Sequence, residues 1–275
     1  MASSPTENAS GIVSAEVYID GSPLDDQFLL SRISIHQQLF KIPEAEVEFR
    51  LPMSPTGDLF AGTEAEEFDP GRMVEIRLGY DNELKSVFKG EVVNTDFRLT
   101  KQAGLVAILE CRDKAHRLQG EPGKGVYEDL SDTDLLTTLI LDQGLSVEVD
   151  GTPAIHPQLI NFGLSNWDFI LSRAAANELL VYAESGKVFV KQPIEGGSPV
   201  LTVRAGLDVI DFQADTGGEG MVSFMGNALP QLNALLELED FGERFSGKVL
   251  IHGIEHQIAE GEWKTSVLFG KPGEM

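Results

Sequence analysis

The feature that most constrains this sequence is a period-two alternation of apolar and polar residues, repeated in short segments between polar turns. It is clearest at residues 74–78, where valine, isoleucine and leucine alternate with glutamate and arginine. That alternation predicts a half-buried β-strand. Residues 81–83 predict a turn, because Asp and Asn side chains hydrogen-bond their own backbone and tolerate left-handed conformations. A second strand follows to residue 93, and Gly90 inside it indicates a bulge or a close backbone approach.

The same pattern recurs along the first part of the chain. It predicts further strands at residues 12–20, 28–36, 45–51, 95–99 and 104–112. Many short strands without a long helical period favour an all-β barrel or sandwich over residues 12–118. Residues 52–69 combine turn formers with an acidic cluster that includes Glu64, Glu66 and Glu67, and they predict a loop. Residues 1–11 lack the basic and apolar segments of a secretory signal and are interpreted as a flexible tail.

The sequence period changes after residue 119. The glycine-rich stretch at residues 120–125 is a candidate domain boundary. Two helix starts follow, Ser131-Asp-Thr-Asp and Ser165-Asn-Trp-Asp, each ahead of an apolar run. Both are capping boxes with aspartate in place of the usual glutamate or glutamine. With predicted strands between and after these helices, residues 119–193 form a small α+β unit, and residues 194–275 return to β character.

The charge of the chain limits its partners. It carries 44 acidic and 21 basic residues among 275, a net charge of −23. Nucleic acid is therefore not expected as a partner, because its phosphates would be repelled and no local basic patch is evident. No apolar run approaches the ~20 residues of a membrane-spanning helix. The single cysteine, Cys111, excludes a disulfide within the chain, which fits assembly in a reducing compartment.

No residue set predicts catalysis, a cofactor or a metal site. His252 and His256 are the only close histidine pair, and on a strand they would stand roughly 13 Å apart, too far to share a zinc ion. Cys111 is interpreted as a small strand residue rather than a nucleophile. Carboxylates are so common that no acid/base pair stands out. Trp167 and Trp263 are predicted to be core anchors rather than exposed stacking platforms.

Three segments taken together resemble a known family. They are residues 74–93 leading to 109–115, residues 164–174 with the following strand, and residues 245–265. In this order they resemble the hub part of VgrG-type spike proteins, the tail-hub and late-control-D proteins of contractile phage tails, type VI secretion and related extracellular injection systems. The residues that carry the resemblance are Gly79, Tyr80, Phe88, Gly90, Asp113, Trp167, Asp168, Phe169, Gly247, His256, Trp263 and Thr265. Individually, we expect them to fix turns and core packing.

The resemblance implies a mainly β (α+β) fold and a structural, non-enzymatic role. It implies two related barrel-like tube domains, residues 12–118 and 194–275, with the small α+β domain at 119–193 between them. Family hubs are homotrimers, so three chains would present six barrels and adapt a hexameric inner tube protein to a trimeric spike. Baseplate proteins, a needle tip and effector cargo are the further partners implied. Assembly would take place in the bacterial cytoplasm, and the injection particle would then deliver the hub outward or release it on firing.

Two features depart from the family pattern. Members usually carry another small domain inside the second barrel, whereas residues 215–220 span that place here, by natural loss, by engineering or because sequence is missing. Longer members continue into an OB-fold and a β-helical needle, so a piercing tip is not expected in this polypeptide, which stops at Met275.

The alternative interpretation is a monomeric β-rich module that binds a carbohydrate or a protein through an exposed Trp167 or Trp263.

Overall fold

The computed structural model describes residues 3–7, 11–52, 63, 66–101 and 104–270. Within them the chain is mainly β, which confirms the predicted fold class at that level. The strands in chain order are β1 Val13–Ile19, β2 Ser22–Pro23, β3 Leu29–Gln38, β4 Glu44–Arg50, β5 Met73–Tyr80, β6 Glu83–Thr100, β7 Gly104–Arg112, β8 Lys124–Ser131, β9 Ser146–Val149, β10 Ile155–Phe162, β11 Leu180–Glu184, β12 Lys187–Lys191, β13 Leu201–Arg204, β14 Val209–Ala214, β15 Gly220–Met225, β16 Leu235–Glu239, β17 Gly247–Ala259 and β18 Glu262–Gly270. The helices are α1 Asp132–Leu141, α2 Asn166–Ala175 and α3 Gly242–Phe245, with 3-10 turns at Pro5–Glu7, Glu66–Phe68 and Lys114–Gln119.

The first part of the chain is an antiparallel sheet in the order β1-β5-β6-β7-β4-β3. Its alternate residues point to one core, and Val74, Ile76 and Leu78 of β5 are almost completely buried. Glu75 and Arg77 lie on the other face and form an ion pair at 3.0 Å. The sequence alternation therefore predicted these strands because each has one buried and one solvated face.

The middle part contains both predicted helices. β8 and β10 form a two-stranded ribbon, and β11, β12 and β9 form a small sheet in that order. Helices α1 and α2 pack between these strands and bury Leu135, Ile140 and Ile170. Ser131 and Ser165 cap the helices, each accepting a hydrogen bond at 3.1 Å from the amide three residues later. Both predicted N-caps are thus confirmed.

The last part is a second β-layer with its own apolar core. β16, β17, β18, β15 and β14 pair antiparallel in that order, and β13 joins β16 in parallel. The core includes Val222, Phe224 and Val267, all fully buried. Of the predicted short link at residues 215–220, residues 215–219 form the turn between β14 and β15, and Gly220 begins β15. The carboxylate of Asp215 accepts hydrogen bonds there from the amides of Gly218 and Glu219, at 2.9 and 3.1 Å.

One strand joins the first and last parts into a continuous sheet. The first half of β17 pairs with β16, and its second half, from Gly253 to Ala259, pairs with β3. Eleven of the thirteen strands of this sheet follow one path with β14 at one end and β1-β2 at the other, and β16 with β13 branches from β17. Two separate closed barrels are therefore not seen among the described residues, because β17 is long enough to serve both halves of the sheet.

Two local predictions differ from the structure. Strand β6 runs unbroken through residues 93–95, since a bulge between Val92 and Asn94 keeps it paired with β7. Residues 3–7 depart from the flexible tail predicted for 1–11, because the Ser4 and Thr6 hydroxyls donate to the buried carboxylate of Asp208. Residues 1–2 and 8–10 of that tail lie outside the described residues, as do residues 53–62 and 64–65 of the predicted acidic loop.

Candidate functional site

Motif residues from opposite ends of the sequence meet where the two halves of the sheet join. Tyr80, at the end of β5, lies beside Trp263 of β18, with ring centroids 5.5 Å apart. The Tyr80 hydroxyl donates a 3.1 Å hydrogen bond to the Gly226 carbonyl, and the Gly226 amide donates to the Trp263 carbonyl at 2.7 Å. This packing ties the segment after β15 to both halves of the sheet.

Behind the aromatic rings lies a buried polar cluster. The Nδ1 atom of His256 is 3.0 Å from the Thr265 hydroxyl. That hydroxyl also accepts a hydrogen bond from the Asn227 amide at 2.9 Å. Burial lowers the pKa of His256 to about 4, so the ring is neutral at pH 7. We call Tyr80, Gly226, Asn227, His256, Trp263 and Thr265 the aromatic junction.

Glycine is required at two positions of this region. A Cβ atom on Gly226 would fall within the Trp263 indole, and one on Gly79 would collide with the Glu83 carbonyl. Neither conflict can be relieved by moving the end of a flexible side chain. The close approach of backbone to ring or backbone therefore explains why these two positions carry no side chain.

The other motif residues of the first segment lie along strands β6 and β7. Phe88 is buried in the first core, and a Cβ on Gly90 would collide with the Arg112 carbonyl. Asp113 follows β7 and accepts hydrogen bonds from the amides of Ala115 and Gly186 at 2.8 and 2.9 Å. Burial raises the pKa of Asp113, although these two amide donors act in the opposite direction. Asp113 thus connects the first sheet to the turn between β11 and β12.

The motif helix α2 uses its residues for packing and capping. Trp167 and Phe169 are 3% and 5% exposed. Asp168 is exposed, and its carboxylate accepts a 2.7 Å hydrogen bond from the Ser165 hydroxyl. Because Trp167 and also Trp263, at 5% exposed, are core residues, the prediction of buried tryptophans is confirmed. The alternative of an exposed aromatic platform loses its two candidate residues.

The remaining motif residue, Gly247, lies outside the aromatic junction and outside helix α2. It begins β17 with φ = +127°, a backbone conformation that favours glycine. Nothing lies within 4 Å of the position where its Cβ would be. Its requirement is therefore conformational rather than steric.

A second buried cluster, which the sequence analysis missed, ties the middle part together. The Asp132 carboxylate accepts hydrogen bonds from Arg173 at 2.6 and 2.9 Å, from Asn177 at 2.9 Å, and contacts His156 Nε2 at 2.9 Å. Burial acts to raise the pKa of Asp132, but these donors outweigh it and hold the pKa at about 2. We call these four residues the charged node. The three partners of Asp132 lie 24 to 45 positions after it in the sequence, so no local sequence pattern could have revealed the cluster.

Metal-binding side chains do not converge in the part of the chain that the structure describes. No cluster of three or more His, Cys, Asp or Glu side chains is placed to hold a metal ion among the described residues. His252 and His256 lie on the single strand β17. Cys111 is buried, and burial raises its pKa to about 12, so it remains a thiol at neutral pH. In the part of the chain that the structure describes, no helix is long and apolar enough to cross a membrane.

Two clefts lie beside motif residues. A cavity of about 270 Å³ lies beside the aromatic junction and is lined by Tyr80, Lys85, Asn227 and Trp263. A larger, polar cleft of about 510 Å³ separates strands β3 and β4 from helix α2. The larger cleft is lined by titratable side chains that include His36, Glu44, Arg112 and Glu255. His36 Nδ1 lies 3.4 Å from the Glu255 carboxylate there.

Solved structures of tail proteins share this fold over nearly their whole length. The 43 kDa tail protein of prophage MuSo2 from Shewanella oneidensis superposes with a TM-score of 0.78 at 10% identity, covering 94% of this chain and 98% of that one. The tail protein from Neisseria meningitidis MC58 gives a TM-score of 0.73 at 13% identity, with 94% and 96% covered. The resemblance predicted from the sequence is confirmed as a likeness of fold.

A third similar structure comes from a secretion apparatus. The E. coli c3393 protein, a component of the type VI secretion system with structural similarity to the T4 bacteriophage tail proteins gp27 and gp5, gives a TM-score of 0.68 at 10% identity. It covers 94% of this chain and 77% of that one. At such low identities the likeness establishes the fold alone.

The sequence itself matches one family model. No curated protein matches this sequence. The model described as the Alg8 N-terminal domain matches residues 9–220 and 216–260, which together make up most of the chain. The chain belongs to the family of the Alg8 N-terminal domain.

Proposed function

We propose that this chain is a structural, non-enzymatic hub subunit of a contractile injection apparatus. The observation that carries the proposal is the shared fold with phage tail proteins over 94% or more of both chains. The buried tryptophans agree with a role in construction. The proposal includes no substrate and no chemical step.

The finer proposal is a homotrimeric ring that adapts a hexameric inner tube to a trimeric spike. It divides the chain into two related tube domains at 12–118 and 194–275 and a small α+β domain at 119–193. Three separate apolar clusters support this division. The first cluster also takes in Ile258 and Trp263, so the two tube domains share part of one core.

In the proposal, the strands at the ends of the described sheet supply the surfaces for such a ring. β14 ends the sheet on one side, and its Ile210 is 56% exposed. β1 pairs with β5 on one side and with β2 only through Tyr18 and Ile19. A groove of about 440 Å³ with a largely apolar lining, including Val13, Leu29 and Ile258, lies along β1. In the proposal, edges of neighbouring chains pair, which satisfies backbone groups that otherwise favour aggregation.

The remaining partners and the location are part of the same proposal. The ring would contact the inner tube, baseplate proteins, a spike or needle tip and effector cargo. Assembly would take place in the bacterial cytoplasm, before the particle delivers or releases the hub. The net charge of −23 argues against nucleic acid as a partner.

The test is the absolute mass of the full chain in solution, measured by light scattering behind size exclusion over a concentration series. A trimer would have three times the 30.0 kDa of one chain. We expect Ile210→Lys to lower the trimer fraction, because a lysine on an edge strand opposes pairing. Leu141→Lys is the matched control, since Leu141 is 53% exposed on helix α1, away from both sheet edges.

Three outcomes distinguish the levels of the proposal. A monomer at every concentration overturns the ring for this chain. A trimer that responds equally to both substitutions retains the hub and excludes the β14 edge as the contact. A trimer lost only with Ile210→Lys, with unchanged circular dichroism, supports pairing through that edge.

A further inference from the structure

The β8–β10 ribbon exposes an apolar surface that the proposed ring does not use. Its outer face consists of Lys124, Val126 and Glu128 of β8 with Gln158, Ile160 and Phe162 of β10, and we call this the outer ribbon face. Val126 lies directly opposite Ile160, and Lys124 opposite Phe162. The apolar side chains of this face are exposed: Val126 by 59%, Ile160 by 56% and Phe162 by 86%. Contiguous apolar side chains held in water mark a surface for another molecule.

The opposite face of the ribbon fixes this surface in place. Tyr127 stacks on Phe169 of helix α2 with ring centroids 6.1 Å apart. The Asn161 side chain, 2% exposed, bonds both the carbonyl and the amide of Leu164, each at 3.1 Å. At the other end, His156 joins the charged node. Phe162 therefore points outward from a ribbon that is anchored at both ends, so little ordering is needed when a partner binds.

The charges around this face indicate the chemistry of the partner. Glu128 on the face, and Glu121 and Asp129 next to it in the sequence, are exposed, whereas Lys124 is the one lysine or arginine within the described residues 121–131 and 155–162. A second copy of the chain would bring the same acidic rim and its own share of the −23 net charge. A partner with basic residues next to its apolar ones is electrostatically complementary.

The shape of the face favours a helix as the occupant. Two paired strands stand ~5 Å apart, and side chains on one face repeat every ~7 Å along a strand. An amphipathic helix of ~10 Å diameter covers such a ribbon and places residues of successive turns against Val126, Ile160 and Phe162. Strand addition along β10 is disfavoured, because Pro157 lacks the backbone donor that pairing needs.

We propose that the outer ribbon face binds an amphipathic helix of a different protein, whose apolar stripe is flanked by lysine or arginine. The apolar stripe covers Phe162, Ile160 and Val126. The basic flanks pair with Glu128 and the neighbouring acids. The inference is independent of the ring, because it concerns a face that no proposed edge pairing covers.

The test measures binding of two labelled synthetic peptides to the full chain by fluorescence anisotropy. Both are about 14 residues long, four helical turns, and share one leucine stripe, with lysine flanks in one and glutamate flanks in the other. The first protein variant is Ile160→Thr with Phe162→Ser, which removes apolar surface without changing charge. The matched control is Leu207→Ser, a residue 62% exposed elsewhere on the surface.

We expect the lysine peptide to bind the wild type and the Leu207→Ser control alike, and the double variant at least tenfold more weakly. The glutamate peptide should not bind. Equal affinity of the lysine peptide for all three proteins would show only a general attraction between the basic peptide and an acidic chain, and would overturn the proposal. No binding to the wild type would also overturn it. Self-association that only the double variant abolishes would assign the face to a second copy instead. Wild-type binding to zwitterionic vesicles, lost in the double variant, would assign it to lipid.

Discussion

The aromatic junction and the charged node both connect segments that are far apart in the sequence, but with opposite chemistry. The junction holds β5, β17 and β18 together with packed rings and neutral hydrogen bonds. It even leaves the buried Trp263 Nε1–H without a partner in the described part of the chain. The node holds α1, α2 and β10 together with one carboxylate and three donors. The contribution of the junction to the free energy of unfolding should therefore depend on packing, and that of the node on ionisation.

The largest expected effect tests packing at the junction. Gly226→Ala places a methyl group inside the Trp263 indole, so the ring or the backbone must move. We expect a loss of about 3 kcal/mol or more in the free energy of unfolding. Urea denaturation followed by tryptophan fluorescence measures it. Gly196→Ala is the matched control, because nothing lies within 4 Å of its Cβ position. Equal stability of the two variants would show that the junction is not tightly packed.

The pH dependence of the junction should follow His256. Its pKa is lowered from 6.5 to about 4 in the folded chain, so the unfolded chain binds a proton first as the pH falls. Stability is therefore lost between pH 6.5 and pH 4, by about 3 kcal/mol in total. Urea titrations at several pH values should show this slope in the wild type and not in His256→Asn. His36→Asn is the control at a half-exposed histidine. An unchanged slope in His256→Asn would assign the acid sensitivity elsewhere.

The charged node should lose stability in a different pH range. Asp132→Asn leaves the largely buried Arg173 without its counter-charge. It should cost about 2–3 kcal/mol at pH 7, the free energy that corresponds to the lowered pKa of Asp132. Because the pKa of Asp132 is lowered to about 2, its contribution is complete above pH ~4 and disappears as the pH falls towards 2. The variant and the wild type should thus converge in acid.

The control for the node is the exposed pair of Arg204 and Glu239, 2.7 Å apart. Glu239→Gln should leave the free energy of unfolding nearly unchanged, because solvent screens an exposed ion pair. A loss as large as that of Asp132→Asn would contradict the distinction between buried and exposed charge.

The smallest expected effect concerns the helices that the node connects. Ser131→Ala and Ser165→Ala each remove one N-cap hydrogen bond and should cost about 1 kcal/mol. Thermal unfolding followed by circular dichroism is the measurement. The corresponding threonine variants retain a hydroxyl and should keep most of the stability. If Ser131→Ala cost as much as Asp132→Asn, the cap rather than the ion pair would hold the start of α1.

Local patterns predicted the elements well because each element is decided by nearby residues. The alternation at 74–78 places three side chains in the core and two on the opposite, partly exposed face. Ser131 and Ser165 identified the starts of both long helices. Where the pattern misled, as in the predicted break near residue 94, a bulge kept the strand paired. Bulges depend on the partner strand, so a single sequence segment does not reveal them.

The candidate site was predictable in part. The motif residues Tyr80, His256, Trp263 and Thr265 were identified one by one, without any indication that they meet. Gly226 and Asn227 were missed, because they follow a strand without a distinctive pattern. The charged node was missed entirely, since an aspartate in a first helical turn is common in any helix.

The sequence by itself determined the strand pattern and the two capped helices, because each depends on residues that are close together in the chain. It also determined the acidic character of the chain, which follows from composition alone. Only the tertiary structure decided that β17 serves both halves of one sheet, that Tyr80 meets Trp263, and that Phe162 points to solvent from an anchored ribbon. These features depend on which distant strands become neighbours. That choice reflects the packing of the whole core and leaves no mark in any short stretch of sequence.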